Sequence, residues 1–267
     1  MVEGFDGLDV VVTGAAGGFG RALCRRLVAE RAAVVAIDMD ADGLRRLEDG
    51  LGVRTICVDL TDREAVDAAL AGVGPIDVLV NNAGVTALGP FSDIDVAAVE
   101  RVMAVNLFGA ANVTRALLDG LIERRGRIAV MSSVAGFAPL VHRTAYSASK
   151  HALHGLFESL GAETADSGVT VTMVCPAFAD TGIEQRAVAR AEGPAGEWST
   201  TGRHLSADAV AGAVLDGLRR RRRLVLPGRT AKTAYVVWRL APRTFERIMR
   251  RRVSGGSGQR SPRYRSR

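Results

Sequence analysis

Tyr146 and Lys150 have the residue types and spacing of a proton-transfer pair. They stand four residues apart at the start of a predicted helix, so both side chains lie on one helix face. A tyrosine has an ordinary pKa of about 10 and is a poor base at neutral pH, but a nearby ammonium group lowers that pKa. Such a pair can act as general acid and base on an alcohol or a carbonyl compound. Taken alone, the same spacing is common on solvated helix faces.

Two further polar residues, Ser133 and Asn106, can join this pair. Ser133 follows a predicted strand 13 residues before Tyr146, where its hydroxyl can lie beside the phenol and polarise a substrate oxygen. Asn106 lies within a predicted helix, where asparagine is unfavourable, and this indicates a buried polar role. The simpler interpretations are a helix cap or turn for Ser133 and a surface amide for Asn106.

A glycine-rich segment, Thr13-Gly14-Ala15-Ala16-Gly17-Gly18-Phe19-Gly20, follows the first predicted strand. A helix must begin here, and its first N–H groups have no partner within the helix. A pyrophosphate accepts hydrogen bonds from such groups at the positive end of the helix dipole. A side chain at Gly14 or Gly20 would hold the backbone away from the phosphates or from the strand. The position of the cluster favours a dinucleotide site over a plain tight turn.

Asp38 ends the second predicted strand, at a position that indicates which dinucleotide is bound. An acid roughly 20 residues after the glycines can accept hydrogen bonds from both adenosine ribose hydroxyls and would repel a 2′-phosphate. Neither Ala16 nor Met39 provides a compensating positive charge. We therefore predict NAD(H) rather than NADP(H). Alternatively, Asp38 caps the following helix.

Two later strand ends complete the predicted crevice. Asp59, after the third strand, can reach the adenine amino group or, equally, cap a helix. Asn81-Asn82-Ala83-Gly84 ends the fourth strand. There the asparagines can stabilise the sheet, and the glycine lets the backbone approach the cofactor. A plain turn is the alternative.

Apolar runs that favour strands alternate with helical patterns along the chain. The predicted strands are Leu8–Thr13, Ala33–Asp38, Arg54–Asp59, Asp77–Asn81, Ile128–Ser132, Val169–Cys175 and Leu224–Leu226. The predicted helices cover residues 19–31, 41–50, 62–71, 95–123, 145–166 and 206–220. The strand runs are continuous, as in strands buried on both faces. Repeated β-α-β units predict an α/β fold, with one doubly wound (Rossmann) parallel sheet of about seven strands covered by helices on both faces.

Taken together, these residues resemble the short-chain dehydrogenase/reductase family over residues 7–228. The resemblance implies that Tyr146 exchanges a proton with the substrate oxygen. It also implies that Lys150 holds the nicotinamide ribose and lowers the tyrosine pKa, that Ser133 orients the substrate, and that Asn106 supports a water-linked proton relay. The family's members bind NAD or NADP and are dimers or tetramers, so we expect a homo-dimer or homo-tetramer.

The resemblance also completes the predicted cofactor site. Pro176–Thr181 is similar to the family's Pro-Gly-x-x-x-Thr segment that contacts the nicotinamide carboxamide, with Ala177 in place of the glycine. The residues assigned to the cofactor are Gly14, Gly17, Gly18, Phe19, Gly20, Asp38, Asp59, Leu60, Asn82, Ala83, Gly84, Tyr146, Lys150, Pro176 and Thr181.

Length and composition are those of an ordinary globular protein. The chain has 267 residues, 48% hydrophobic and 24% charged, which suffices for one large domain. We find no signal peptide and no apolar run of the roughly 18 residues that a spanning helix needs, so we expect a cytoplasmic protein. Cys24, Cys57 and Cys175 lie far apart in apolar stretches without metal-ligand spacing. We expect buried, reduced thiols and no metal site.

The C-terminal segment differs in charge from the rest of the chain. Residues 1–218 hold 18 Lys and Arg against 28 Asp and Glu, whereas residues 219–267 hold 17 Lys and Arg against one acid. We predict a catalytic domain over 1–228, a basic amphipathic helical extension over 229–252 broken near Pro242, and a disordered basic tail over 253–267. The extension can lie on an anionic membrane, cover the substrate site or pack on a neighbouring subunit. Nucleic-acid binding is less favoured, because no recognised module is present.

The predicted substrate pocket is apolar. Its walls are residues 135–142 and 177–183 and the lid that follows them. The apolar side chains predicted to line it are Phe137, Leu140, Val141, Phe178, Ile183 and Trp198. This favours a lipophilic secondary alcohol or ketone. We interpret His142 as a loop residue without a catalytic role. The alternative functions are a 3-oxoacyl-thioester reductase, which Asp38 disfavours because such enzymes usually take NADPH, and a non-catalytic dinucleotide-binding regulator.

Overall fold

The computed structural model describes residues 4–177, 182–185, 187–191 and 204–254. Its strands are β1 (Asp9–Thr13), β2 (Ala33–Asp38), β3 (Arg54–Cys57), β4 (Val78–Asn81), β5 (Ala87–Leu88), β6 (Arg127–Met131), β7 (Thr170–Val174), β8 (Ala189–Arg190) and β9 (Leu224–Val225). Its α-helices are α1 (Gly18–Ala29), α2 (Ala41–Leu51), α3 (Arg63–Leu70), α4 (Val96–Met103), α5 (Ala110–Glu123), α6 (Thr144–Glu163), α7 (Ala207–Arg219), α8 (Gly228–Leu240) and α9 (Pro242–Ser254).

The main sheet is parallel and doubly wound, as predicted. Its seven strands lie in the order β3-β2-β1-β4-β6-β7-β9, and every neighbouring pair is parallel. From β1 the chain runs outward to β2 and β3, and then returns to place β4 on the other side of β1. At such a reversal the connections diverge, and a crevice opens beyond the carboxyl ends of β1 and β4.

Both faces of the sheet are covered by helices, which explains the continuous apolar strands. In β1, the side chains of Val10 and Val12 belong to one buried cluster and that of Val11 to the other. The first cluster includes Leu23 of α1 and Val214 of α7. The second receives side chains from α3, α5 and α6. Because strand side chains alternate between faces, burial on both sides requires an apolar residue at every position.

The long predicted helix over residues 95–123 has an irregular centre. A π-helical turn, Ala104–Gly109, separates α4 from α5. Turns of this kind are rare and occur frequently at functional sites. The stretch Val96–Glu123 is long and apolar enough to cross a membrane by length and composition alone. No such stretch was predicted from the sequence. Its side chains Val113 and Leu117 are buried in the core beneath the sheet, as in a helix of the α/β layer.

Beyond β9, the extension forms two helices that break at Pro242, as predicted. The buried side of α8 packs on the turn that follows β6, in an apolar cluster that includes Val134, Ala138, Ala231 and Phe245. The extension is therefore attached to the α/β domain through its apolar side. The tail predicted to be disordered falls mainly on residues 255–267, outside the described part of the chain.

Some features of the fold were not predicted. The short strands β5 and β8 form a separate two-stranded parallel sheet, and each contains only two residues. The expectation that all three cysteines are buried is wrong for Cys57, which is exposed at the end of the edge strand β3. Cys24 and Cys175 are buried, and burial raises the pKa of each thiol to about 12.

This difference in exposure predicts the reactivity of the thiols. A thiolate is the reacting form, so the two buried cysteines with raised pKa react slowly in the native protein. We expect one fast-reacting thiol per chain with an aromatic disulfide reagent at neutral pH, and three after unfolding in guanidinium. Cys57→Ser should remove the fast phase. A second fast thiol in the native protein would contradict the structure.

Candidate active site

The proton-transfer pair lies on the first turns of α6, where the helix passes the end of β6. Lys150 is 3% exposed, and its Nζ donates a hydrogen bond of 2.7 Å to the carbonyl oxygen of Met131. The Nζ atom lies 5.5 Å from the centre of the Tyr146 ring. The two side chains therefore share one face of the helix, as their spacing predicts, and that face is turned toward the sheet.

Ser133 joins Tyr146 from the loop that follows β6. Its hydroxyl lies close enough to the Tyr146 phenol to lower the pKa of that phenol. The same Oγ accepts a hydrogen bond of 3.1 Å from the backbone N–H of Ala135 and caps a short 3₁₀ turn. The capping role and the site role thus belong to one side chain, and capping fixes the position of the hydroxyl beside the phenol.

Asn106 lies in the π-helical turn and is 1% exposed, so its interpretation as a surface amide is wrong. Its Oδ1 accepts from the backbone N–H of Val85 at 2.8 Å. Its Nδ2 donates to the Val85 carbonyl at 3.0 Å and to the Ser149 hydroxyl at 2.9 Å. A Cβ on Gly84 would lie 3.2 Å from Asn106 Oδ1 and 3.5 Å from Lys150 Nζ. Asn106 therefore ties the segment after β4 to α6, next to the lysine.

The ionisation of the pair differs from the expectation. Burial raises the pKa of Tyr146 above its ordinary value, although the charge of Arg143 and the hydrogen bond from Ser133 act to lower that pKa. The prediction that the neighbouring lysine leaves the phenol with a lowered pKa is therefore wrong for the protein chain by itself. Burial also lowers the pKa of Lys150, to about 8, because the charged ammonium loses its hydration.

The glycine-rich segment forms a tight turn between β1 and α1. Gly14 has a φ of 63°, and a Cβ on it would come within 2.7 Å of the Cα of Ala83. A Cβ on Gly20 would come within 2.2 Å of the Gly14 carbonyl oxygen. The helix begins at Gly18, and the capping position is taken by Gly17, which has no side chain to bond the first N–H groups. The turn thus combines close backbone packing with a helix start capped by no side chain.

The carboxylate of Asp38 lies against this turn. Its Oδ2 accepts a hydrogen bond of 2.9 Å from the backbone N–H of Ala16, and its Oδ1 accepts one of 3.1 Å from Asp40. Helix α2 is capped by Asp40 and not by Asp38, so the alternative role of Asp38 as a helix cap is wrong. The carboxylate is instead held beside the glycine turn, at the end of β2.

Asp59 is not a helix cap either. Its Oδ1 accepts hydrogen bonds of 2.9 Å from both the N–H and the hydroxyl of Thr61, while Asp62 caps α3. The adjacent Leu60 is buried, and its carbonyl accepts a hydrogen bond of 3.0 Å from Asn112. This segment is therefore fixed at the carboxyl edge of the sheet, near the end of β3.

A hydrogen-bond network centred on Thr13 joins β1 to β4 at the crevice. The Thr13 hydroxyl accepts from the backbone N–H groups of Asn82 and Ala83, at 3.0 and 3.1 Å. The side chain of Asn82 donates in return to the carbonyls of Thr13 and Gly14, at 2.9 and 3.0 Å. The sequence reading did not assign Thr13 to the site, although it closes β1 directly before the glycines.

The segment after β7 is described only at its start. The carbonyl of Pro176 accepts a hydrogen bond of 3.1 Å from Val134, which places Pro176 next to the Ser133 loop. Phe178, Thr181 and Trp198 lie outside the described residues. Ala177 and Leu140 line an apolar cavity of about 340 Å³ together with the extension, as described below.

A row of polar side chains behind the site was not predicted from the sequence. The Sγ of Cys175 lies 3.5 Å from Nε2 of His154, whose Nδ1 lies 2.7 Å from a carboxylate oxygen of Glu158. The side chain of Ser132 also acts to lower the pKa of the Cys175 thiol. The i,i+4 spacing of His154 and Glu158 on α6 is the signal that would have indicated this pair. This row of side chains connects the carboxyl end of β7 to the outer side of α6.

The residues at the crevice fit a bound dinucleotide. The tight turn leaves no room for a side chain at Gly14 or Gly20, the helix start is capped by no side chain, and the Asp38 carboxylate lies against the turn from β2. Gly84, Lys150 and Tyr146 follow at the other end of the crevice. These features are those of a site for a pyrophosphate at one end and a reactive group at the other.

Comparison with known proteins agrees with this geometry. The family model for short chain dehydrogenase matches residues 9–192. Dehydrogenase/reductase SDR family member 7B of Rattus norvegicus is 35% identical over 91% of this chain and 81% of its own length. Oxidoreductase UcpA of Salmonella typhimurium is 37% identical over 70% of this chain and 75% of its own length.

Two solved structures show the same fold. A short chain dehydrogenase from Burkholderia cenocepacia J2315 in complex with NADP covers 92% of this chain and 99% of its own, with a TM-score of 0.81 and 26% identity. A short chain dehydrogenase/reductase from Burkholderia phymatum in complex with NAD covers 97% of this chain and 99% of its own, with a TM-score of 0.76 and 27% identity. Sequence and fold together show that the chain belongs to the short-chain dehydrogenase/reductase family of oxidoreductases.

Proposed function

We propose that this protein is an NAD-dependent oxidoreductase that interconverts a secondary alcohol and a ketone. The observation that carries the proposal is the convergence of Ser133 and Lys150 on Tyr146, beside a crevice that fits a dinucleotide. Members of this family act in general on CH–OH groups, and solved relatives are in complex with NADP or NAD.

In the proposed mechanism, Tyr146 exchanges a proton with the oxygen of the substrate. Ser133 donates a hydrogen bond to that oxygen and holds it against the phenol. A nicotinamide dinucleotide, when bound, supplies or accepts the hydride. Lys150, whose position is fixed by its hydrogen bond to the Met131 carbonyl, would bind the ribose of the dinucleotide. Asn106 holds the segment after β4 in place and supports a proton path through water.

Burial gives the Tyr146–Lys150 pair its chemical character. A phenol with a raised pKa is protonated at neutral pH and is a suitable acid for the reduction of a ketone. In the alcohol-oxidising direction the phenolate is required, and positive charge near the phenol favours it. The positive group placed there is Arg143, whose charge lowers the Tyr146 pKa. The proposed direction of proton transfer therefore depends on pH.

A lipophilic substrate is supported by the cavity next to Ser133. Its volume is about 340 Å³, and its lining includes Val134, Leu140, Ala177, Val237 and Phe245. Ligand sites are usually apolar with a few polar groups that fix orientation. The cavity lining includes Val134, which directly follows Ser133, so we propose that a substrate in this cavity would present its oxygen to Ser133 and Tyr146. Because α8 and α9 contribute much of the lining, we propose that the extension covers the substrate site.

We also propose that the protein is a cytoplasmic homo-oligomer. On α6, Ala148, Gly155 and Ser159 are exposed and Ala152 is half-buried, and the small size of these four residues permits close approach of a helix from a second copy. Phe108 on the adjacent π-helical turn is also exposed. An apolar side chain of this size at the surface is consistent with such a contact.

Replacing Tyr146 tests the proposed acid and base. Tyr146→Phe removes only the hydroxyl, so NADH binding should remain and turnover should fall about a hundredfold or more. The measurement is nicotinamide absorbance with a panel of ketones and secondary alcohols, together with NADH fluorescence titration. Tyr235→Phe is the matched control. The Tyr235 ring, on α8, packs on Phe137 and is not part of the proton-transfer pair. Full activity of Tyr146→Phe would contradict the proposed role.

The lowered pKa of Lys150 predicts how stability changes with pH. Its pKa is about 8 when folded and near the ordinary value of 10.5 when unfolded, so between these values the unfolded chain binds more protons. Stability then rises with pH in this window. From about pH 7 to about pH 9.5, the wild type should gain about 2 kcal/mol of unfolding free energy relative to Lys150→Met.

Urea titrations at both pH values measure this difference. Lys232→Met is the control, because Lys232 is the only other lysine of the chain and is exposed on α8. Its unfolding free energy should follow that of the wild type. If the profiles of Lys150→Met and the wild type are parallel, Lys150 does not have a lowered pKa in the folded protein.

The position of Asp38 predicts the cofactor preference. A carboxylate held beside the glycine turn repels a 2′-phosphate, so NADH should bind more tightly than NADPH. Asp38→Asn should weaken NADH binding and reduce the preference at least tenfold, as measured by fluorescence titration. Asp42→Asn, which removes an exposed carboxylate from α2, should leave both affinities unchanged. Tighter binding of NADPH by the wild type would refute the assignment.

A further inference from the structure

The exposed side of the extension combines apolar and basic residues. On α8, Thr233, Val236 and Leu240 follow at helical spacing and lie on one face. Val236 is 53% exposed and Leu240 is 81% exposed. Lys232 and Arg239 are exposed beside them. Large apolar side chains at this level of exposure, next to cations, are typical of a binding surface.

Helix α9 continues the basic surface. Arg243, Arg247 and Arg250 recur at a spacing of three and four residues and are exposed on one side, whereas Phe245 on the other side is buried against α8. Ile248 is exposed at the border between the two sides. The helix is therefore amphipathic, with its apolar side used for packing and its arginines turned to solvent.

We propose that this α8–α9 surface, comprising Val236, Leu240, Ile248 and the surrounding arginines, docks on an anionic lipid bilayer. The argument is charge complementarity joined to apolar exposure. Residues 228–254, which form α8 and α9, carry eight basic residues against one acid, and cations near an anionic membrane are attracted to it. The exposed apolar side chains can enter the boundary between headgroups and acyl chains.

Other occupants of this surface fit it less well. A second copy of the same surface would bring two strongly positive segments together, and like charges would oppose the contact. A nucleic acid would neutralise the arginines but would leave Val236 and Leu240 without an apolar partner. A bilayer satisfies both parts of the surface, because it offers anionic headgroups above an apolar layer.

The apolar cavity opens on the same side of the extension. Arg229, Thr230 and Thr233 belong to its lining and are exposed, whereas Val134 and Phe245 in the lining are buried. Thr233 precedes Val236 and Leu240 on the same helix face. The opening therefore faces the proposed membrane, and a lipophilic substrate could enter from the lipid phase. This last step rests on the proposed function, whereas docking on the membrane does not.

Sedimentation with vesicles tests the docking. Full-length protein is mixed with phosphatidylcholine vesicles with and without phosphatidylserine, and the bound fraction is measured as salt increases. We expect binding only to the anionic vesicles, weakened by salt. The double variant Arg243→Glu/Arg247→Glu should weaken it at least tenfold, and Leu240→Ser should weaken it severalfold at constant charge.

The control has the same change in net charge at another place. Arg45→Glu/Arg63→Glu alters exposed residues of α2 and α3 and should bind as the wild type does. Circular dichroism melting of each variant shows that the fold is retained. Failure to bind anionic vesicles, or equal loss in the control, would overturn the proposal. Binding of duplex DNA that is as tight as vesicle binding and insensitive to Leu240→Ser would overturn it in favour of a nucleic-acid surface.

These outcomes are independent of the enzyme's activity. A protein that binds anionic vesicles but reduces no ketone would support the membrane surface and contradict the proposed function. A protein that is active in solution and binds no vesicles would support the proposed function and contradict the membrane surface.

Discussion

The active site depends on a lysine ammonium placed where there is little water to hydrate it. Burial of a charged group is unfavourable unless hydrogen bonds compensate, and Lys150 donates such a bond to the Met131 carbonyl oxygen. That carbonyl belongs to the last residue of β6, so the sheet fixes the lysine and Ser133 follows two residues later. Tyr146 is placed by the same helix that carries the lysine. The geometry of the whole group follows from how α6 packs against the end of one strand.

The cofactor crevice depends on a second fixed junction. The strands β1 and β4 part at their carboxyl ends, because their following segments leave in different directions. Thr13 and Asn82 bond each other's backbone there, so the opening has fixed walls without contribution from a ligand. Gly14 lies in this junction at a positive φ and within close contact of Ala83. A preformed crevice lowers the entropic cost of binding a flexible dinucleotide.

Much of this arrangement could be predicted from the sequence because it is local. The order of strands and helices follows from apolar patterning, and the carboxyl ends of parallel strands meet at one edge, which brings Gly14, Asp38 and Ser133 together. The prediction that Asp38 lies beside the glycine turn needed only the order of the elements and the common edge of parallel strands. The position of α6 at that edge follows from its place after β6.

What could not be predicted is decided by neighbours distant in sequence. The pKa of Tyr146 depends on burial, and the four-residue spacing to Lys150 contains no information on solvent. The exposure of Cys57 follows from β3 being the edge strand, since an apolar pattern looks the same at an edge and at the centre. The π-helical turn around Asn106 is fixed by the bonds of that amide to Val85 across the crevice.

The extension shows how a segment outside the motif can decide what an enzyme acts on. The proposed proton-transfer group lies on α6 and the loop after β6, whereas much of the lining of the cavity proposed to receive the rest of the substrate comes from α8 and α9. Phe245 and Ala231 attach these helices to the turn beside Ser133, so a shift of the extension would alter the cavity without moving the group that exchanges the proton. Under the proposed function, reaction type and substrate choice would therefore depend on different parts of the structure.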